Sequence, residues 1–200
     1  MDLGSDAPFE KPQPIVVMVK GDQPLAVDVE RVELDLSKFH NGRWALQLDA
    51  AFARRDAPVV LLARGVACLA VTWWAQLSPR SYLRAVSGAL LDSPLNIGFE
   101  QASIAAIVRT GPTYRLPFPS VVLNDGLFQV EEVLALADRW GSRFIGADGT
   151  ATEHPSNRHA LFPDSEAMLL EYRALLHIGA KTPQYSAVSA EPSPPFAASD

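Results

Sequence analysis

Cysteine, basic residues and long apolar runs are all scarce in this chain of 200 residues. The single cysteine, Cys68, excludes an intramolecular disulfide framework and is typical of a reducing compartment. Seventeen Lys and Arg residues against 23 Asp and Glu residues give a formal net charge of −6. This balance argues against nucleic acid and against anionic membrane surfaces as partners. No apolar run approaches the roughly 20 residues that a membrane-spanning helix needs.

The two ends of the chain are poor in the residues that build a core. Residues 1–14 carry prolines among polar residues and show no basic segment followed by an apolar one, so we expect a flexible arm without a secretory signal. Residues 181–200 hold further prolines among Ser and Ala, which predicts a disordered tail. The segment between them, 15–180, suits one domain with a sizeable core. A cytoplasmic location is expected.

Strand-like and helical segments alternate along residues 15–180. This alternation predicts an α/β fold, a three-layer α/β/α sandwich with a mostly parallel sheet. Runs rich in Val, Leu and Ile predict strands at Pro14–Val19, Val29–Leu36, Pro58–Ala63, Ala85–Leu91, Pro117–Leu123 and Arg143–Gly146. Helical spacing of apolar residues predicts helices at Arg43–Arg55 (capped by Asn41), Gly65–Gln76, Val130–Trp140 and a last helix from the cap Asp164 to Gly179, with one more short helix before Gly111.

The connection between the first two predicted strands is short. About nine residues separate them, whereas a parallel crossover takes about a dozen or more and usually contains a helix. Either the two strands pair as an antiparallel hairpin, or an extended segment crosses without a helix. We then expect one face of the sheet near the first strand to be thinly covered.

Residues 58–75 contain the most informative local pattern. A strand rich in Val and Leu passes through Arg64 and Gly65 directly into an apolar helix, without a loop. A strand, a sharp turn and a helix form the geometry with which α/β-hydrolases present a nucleophile. In the usual Gly-Xaa-Ser-Xaa-Gly form the central serine stands at the tip of the turn, and here the tip is Gly65. The pattern predicts an elbow without its nucleophile.

Several segments carry a resemblance to a known family. The matching residues are Val59–Ala75, Val86–Leu91, the stretch from Leu-Pro-Phe-Pro-Ser at Leu116 to Asp125, and Ala135–Ile145, with a looser fit over Arg31–Leu48. Together they resemble the small serine hydrolases related to retinoblastoma-binding protein 9, which are single-domain α/β-hydrolases found widely in bacteria. The resemblance covers more than half of the chain. It implies an α/β-hydrolase-like fold that is reduced at its N-terminal side.

The resemblance also assigns triad positions. Members of that family have an Ala/Gly-His-Ser-Xaa-Gly elbow, an acid just after the fifth strand and a histidine in a Gly-His pair after the sixth. These positions fall on Gly65, on Asp125 (with Asn124 as the alternative) and on Thr150. The family's oxyanion loop, Pro-Gly followed by a helix, is replaced by Lys20-Gly21-Asp22. The resemblance therefore implies that nucleophile, base and oxyanion loop have changed and that only the acid persists.

These replacements bear directly on the chemistry. Acyl transfer needs a hydroxyl, a base within hydrogen-bond reach and donors to the oxyanion. Loss of the hydroxyl at Gly65 or of the base at Thr150 alone costs a factor on the order of 10⁴–10⁶ in rate. We predict a pseudoenzyme without triad-based hydrolysis. It is expected to bind a protein or a small ligand and to need no cofactor or metal.

A divergent hydrolase or esterase with a relocated site is the alternative. Ser93, Ser120 or Cys68 would then be the nucleophile, and His154 the base. Cys68 lies one turn into a helix that we expect to be buried, and this favours packing over catalysis. His154 and His159 lie in a polar loop without the spacing that demands a metal, so a solvated loop is expected there.

Arg64 offers a third hypothesis, that of a small-anion sensor. It places a cation beside the positive end of the following helix, where a substrate pocket would open. Arg64 either binds a carboxylate or phosphate there, or forms an ion pair, for which Asp125 is one candidate partner.

Overall fold

The computed structural model describes residues 11–22, 29–37, 42–53, 55–97, 114–124, 126, 129–147, 151–152 and 165–177. Strands and helices alternate along them, as the sequence predicts. The strands are β1 (Gln13–Val19), β2 (Arg31–Leu34), β3 (Val59–Arg64), β4 (Val86–Asp92), β5 (Ser120–Asn124), β6 (Arg143–Gly146) and β7 (Ala151–Thr152). The helices are α1 (Ala45–Phe52), α2 (Val66–Leu77), α3 (Val130–Trp140) and α4 (Ser165–His177).

Other predicted segments fall outside the described residues. These are residues 1–10 of the predicted arm, the whole predicted tail, the short helix before Gly111, and the predicted caps Asn41 and Asp164. Within the described part of the chain, every helix is too short or too polar to cross a bilayer. The same residues hold no group of three or more His, Cys, Asp or Glu side chains placed to share a metal ion.

All the strands belong to one sheet in the order β2-β1-β3-β4-β5-β6-β7. Neighbouring strands from β2 to β6 are parallel, and β7 is antiparallel to β6. This confirms the predicted α/β fold with a mostly parallel sheet. The chain order reverses direction between β1 and β3, so the carboxyl ends of these strands flank a topological switch point, where open α/β sheets usually bind ligands.

The pairing of β1 with β2 excludes one of the two alternatives for the short connection between them. Val16 aligns with Arg31 and Val19 with Leu34 in a parallel register, so the antiparallel hairpin is wrong. β2 also ends two residues before the predicted Leu36. The carboxylate of Asp35 accepts the Ser37 N–H at 3.2 Å and starts a turn, which aspartate side chains favour.

The helices cover the two faces of the sheet unequally. The crossovers from β2 to β3, β3 to β4 and β5 to β6 run in one direction, and right-handed crossovers place α1, α2 and α3 on the same face. Their apolar sides form the larger core with alternate residues of β1 and β3. In the described part of the chain, α4 covers the opposite face, where Tyr172 and Leu176 pack against Val60, Leu62 and Leu90.

Near β2 the face that α4 occupies is more open. Val32 and Leu34 are buried on the side of α1, whereas Arg31 and Glu33 are exposed on the other side. Met18 of β1 is only half-buried on that side. The thin coverage expected from the short first connection therefore shows most strongly on β2.

A side chain from α1 caps the outer edge of β2. The Leu34 carbonyl accepts the N–H of Lys20, which follows β1, so the backbone groups of Leu34 face β1. Successive residues of a strand direct their backbone groups to opposite sides. Those of Glu33 and Asp35 therefore point away from the sheet. The side-chain amide of Gln47 donates to the Glu33 carbonyl at 2.9 Å. Its oxygen accepts the Asp35 N–H, also at 2.9 Å. One glutamine thus satisfies two backbone groups that a further strand would otherwise pair.

Candidate functional site

The turn between β3 and α2 has the sharp backbone predicted for an elbow. Gly65 has φ 57° and ψ −129°, a combination that strains a residue with a side chain. Its N–H donates to the Asp92 carbonyl at 2.9 Å, and its own carbonyl accepts the Cys68 N–H at 3.1 Å. The turn is therefore bonded both to the neighbouring strand β4 and to the first turn of α2.

The space above Gly65 is taken by the backbone of another loop. A Cβ atom built on Gly65 would lie 2.7 Å from the carbonyl oxygen of Asn96, closer than real Cβ contacts come. Asn96 belongs to the segment after β4, where its N–H donates to the Ser93 carbonyl at 2.9 Å. Gly65 is thus required here for two reasons, its backbone conformation and the approach of a carbonyl group.

A buried carboxylate lies beside the elbow. Asp92, the last residue of β4, is 0% exposed. Its Oδ2 lies 3.3 Å from Nε of Arg64, whose side chain is 40% exposed, and its Oδ1 accepts the Ser93 hydroxyl at 2.9 Å. The ion-pair alternative for Arg64 is confirmed, with Asp92 as its partner, and anion binding by Arg64 stays a prediction. We refer to Arg64, Asp92 and Ser93 as the elbow network.

A pocket of about 240 Å³ lies at the carboxyl ends of β4 and β5, beside the elbow. Its apolar lining is Leu95, Ile97 and Val133. Its polar lining comes from the end of β4 and the loop after it, from the end of β5 and from the start of α3, namely Ser93, Asn96, Asn124, Gly126 and Gln129. The loop after β4 thus separates this pocket from Gly65, and Asn96 contributes to both places.

The turn after β1 lies at the position that the sequence resemblance assigns to a changed oxyanion loop. The Lys20 N–H donates to Leu34 of β2, and the Asp22 N–H donates to Val19 at 3.0 Å. The Asp22 carboxylate in turn accepts the Val19 N–H at 3.0 Å. Because the amides of Lys20 and Asp22 are already bonded, they are not oriented as donors to an oxyanion over the elbow.

Sequence comparison identifies the family to which this elbow belongs. A family model described as serine hydrolase matches residues 18–170. This protein belongs to the serine hydrolase family. A crystal structure described as a YdeN-like hydrolase from Pectobacterium atrosepticum is similar over 82% of this chain and 92% of its own, with a TM-score of 0.46 and 16% identity. No curated protein matches the chain. The sheet order and flanking helices of this serine hydrolase-family protein are those of an α/β-hydrolase-like fold.

The other positions that the sequence predicts for a triad lie only partly within the described residues. Asp125, Thr150, His154 and His159 lie outside the described residues. Asn124, the alternative to Asp125, is 5% exposed and lines the pocket at the end of β5. The structure therefore brings the elbow and the strand-five position to one edge of the sheet, as parallel strands require.

The three candidates for a relocated nucleophile differ in position. Ser120 begins β5, so it lies at the opposite edge of the sheet, where it is 1% exposed and bonded to the hydroxyl of Ser142. Cys68 is fully buried, with Sγ 3.3 Å from the Asp92 carbonyl. Ser93 lines the pocket and has a positive φ of 47°. Only Ser93 of these candidates therefore reaches a cavity at the functional edge in the described structure.

Cys68 is expected to be unreactive in the folded protein. Burial, with a further contribution from the nearby Asp92 charge, raises the pKa of its thiol well above the ordinary value, so the nucleophilic thiolate is disfavoured. At pH 8 we expect iodoacetamide to alkylate the native protein at least about 100-fold more slowly than the urea-unfolded protein. Cys68 is the chain's one cysteine, so mass spectrometry reports it directly. Similar rates in both states would return Cys68 to the candidate nucleophiles.

Two functional features were not identified from the sequence. Asp92 directly follows a buried apolar run, and this position is a signal of a buried, partnered carboxylate. The approach of the Asn96 carbonyl to Gly65 has no signal of its own, because any residue supplies a carbonyl group. In the sequence, this approach is indicated only by the glycine at position 65.

Proposed function

We propose that this serine hydrolase-family protein is a pseudoenzyme that acts by binding a protein or a small ligand. The observation that carries the proposal is the carbonyl of Asn96 at the place where a nucleophile's side chain would begin. The vacancy at Gly65 is thus occupied by the protein's own backbone. The resemblance to the hydrolases related to retinoblastoma-binding protein 9 adds support, since it puts Thr150 at the base position.

The surroundings of the elbow support the same conclusion. A serine at the tip would need a base and at least two donors to its oxyanion. The amide of Lys20 is bonded to the Leu34 carbonyl of β2, and the amide of Asp22 is bonded to the Val19 carbonyl of its own turn. The carboxylate of Asp92 is engaged by Arg64 and Ser93. These groups stabilise the folded elbow and its adjoining loop.

A fluorophosphonate probe is expected to leave the native protein unlabelled. Such probes phosphonylate activated serine hydroxyls, and the elbow offers none. The measurement is intact-mass spectrometry after incubation with excess probe, with an active serine hydrolase treated in parallel to show that the probe reacts. A stoichiometric adduct on any serine or on Cys68 would contradict the proposal, and peptide mapping would locate the nucleophile.

A divergent esterase with Ser93 as its nucleophile is the second candidate function. Its hydroxyl lies at the pocket and donates to the Asp92 carboxylate, an acceptor that could receive its proton. Arg64 opposes this role, because its guanidinium forms an ion pair with the same carboxylate. His154 remains the proposed base from the sequence.

The turnover of short-chain p-nitrophenyl esters distinguishes this candidate from a pseudoenzyme. An esterase acting through Ser93 would lose its turnover in Ser93→Ala and in His154→Ala. It would keep that turnover in Ser81→Ala, a change at an exposed serine far from the pocket in sequence. Under the leading proposal the native protein shows no turnover above the rate of the buffer.

A further inference from the structure

The pocket beside the elbow combines neutral polar side chains with aliphatic ones among its described lining residues. The described side chains that line it are a hydroxyl, three amides and three aliphatic groups, and none of them carries a charge. Two of the polar ones are nearly buried, Ser93 at 7% and Asn124 at 5% exposed. Buried neutral polar groups beside apolar ones favour a neutral ligand, because these described residues offer an ion no counter-charge in place of its hydration.

The hydrogen bond of Ser93 determines which kind of polar group a ligand must present to it. A serine hydroxyl has one proton to donate and two lone pairs that accept. The proton of Ser93 goes to Oδ1 of Asp92, at 2.9 Å. Toward the pocket, Ser93 can therefore act only as an acceptor, and a matching ligand has to supply an N–H or O–H donor.

The apolar side of the pocket and its size limit the rest of the ligand. Leu95, Ile97 and Val133 form a surface that suits a flat or branched hydrocarbon group. A cavity of roughly 150 Å³ holds benzene, so about 240 Å³ holds about ten non-hydrogen atoms.

We propose that this pocket binds a small neutral molecule in which an amide N–H adjoins an apolar group. The inference rests on the proposed binding function and names the ligand class for it. The ligand's N–H donates to Ser93, its hydrocarbon part packs on Ile97 and Val133, and the amides of Asn124 and Gln129 contribute the remaining polar surface. The ligand lies apart from Gly65, from which the loop carrying Asn96 separates it.

Three probes of nearly the same shape test the donor requirement. Benzamide carries an amide NH₂ where acetophenone carries a methyl group and benzoate a charged oxygen. In ¹⁵N–¹H spectra of the full chain we expect benzamide to shift the backbone signals of Ser93, Asn96, Asn124 and Val133 in a saturable way. Acetophenone lacks the hydrogen bond and is expected to bind at least about fivefold more weakly. Benzoate, which would have to lose its hydration, is expected to bind more weakly still.

A charge introduced at the rim provides the matched variant. Gln129→Lys changes an exposed residue that already has a positive φ of 59°, so the variant adds a cation with little change in backbone strain. Benzoate should then bind at least about fivefold more tightly than to the native protein. Glu132→Gln makes the same change in net charge at an exposed position of α3 outside the pocket lining, and it should leave benzoate binding unchanged.

The results can overturn the proposal in several ways. It fails if benzamide causes no saturable shift at the pocket, if acetophenone or benzoate binds the native protein as tightly as benzamide, or if Glu132→Gln improves benzoate binding as much as Gln129→Lys. Each of these results leaves fluorophosphonate labelling unaffected. Labelling by the fluorophosphonate would instead overturn the pseudoenzyme proposal and leave the ligand class standing.

Discussion

Gly65→Ser is expected to destabilise the protein by about 2–4 kcal/mol and to leave it without esterase activity. The serine Cβ would meet the Asn96 carbonyl oxygen at 2.7 Å, and it would hold a backbone at φ 57° and ψ −129° that side chains strain to adopt. Relief of the contact requires movement of the loop after β4, which the Asp92–Ser93 hydrogen bond holds in place. Urea denaturation measures the loss.

Two glycine-to-alanine variants separate the causes of that loss. Gly65→Ala adds the Cβ without the hydroxyl and should cost about as much as Gly65→Ser. Gly42→Ala adds a Cβ at φ 68° where nothing lies within 4 Å, so it reports the positive φ without a steric contact and should cost about 1 kcal/mol. Gly65→Ser with native stability and fluorophosphonate labelling would instead show that the loop yields and that a working base remains.

Arg64→Leu is expected to lower the free energy of unfolding by about 2–3 kcal/mol. The substitution leaves the Asp92 carboxylate, which is fully buried, without the cation 3.3 Å from its Oδ2. The full cost of breaking a buried ion pair is larger, but the Arg64 side chain is 40% exposed and its charge is partly screened by solvent. Urea denaturation at pH 7 measures the effect.

Paired variants test whether the buried charge is the cause. Arg64→Leu combined with Asp92→Asn removes both charges and keeps an acceptor for Ser93, so the double variant should recover most of the stability lost in Arg64→Leu. Arg84→Leu replaces an exposed arginine and should change stability by no more than about 0.5 kcal/mol. Equal losses in the single and double variants would show that Arg64 contributes through packing instead.

The fold could be predicted because its main signals are local. Alternating apolar runs and helical periodicity gave the order of the elements, and the step from Ala63 through Gly65 into an apolar helix gave the elbow. The pairing of β1 with β2 could not be decided in this way. A short connection is compatible with a hairpin or with a crossover, and the choice depends on how β2 packs against β1 and α1.

The site could be predicted only in part, because its contacts join residues distant along the chain. The glycine at position 65 marked the tip of the elbow as a position without a hydroxyl group. Nothing local indicated that Asn96 would cover it with a carbonyl group, or that Arg64 would pair with Asp92 on the next strand. Arg64 was correctly placed at the elbow, but its partner depends on the register of β3 against β4.

Gln47 has a consequence for how this protein meets copies of itself. The exposed edge of a sheet invites strands from other molecules, and proteins protect such edges against aggregation. Here the glutamine amide bonds to Glu33 and Asp35 in the manner of a short neighbouring strand. An incoming strand would have to break both bonds and move a side chain of α1 before it could extend the sheet there.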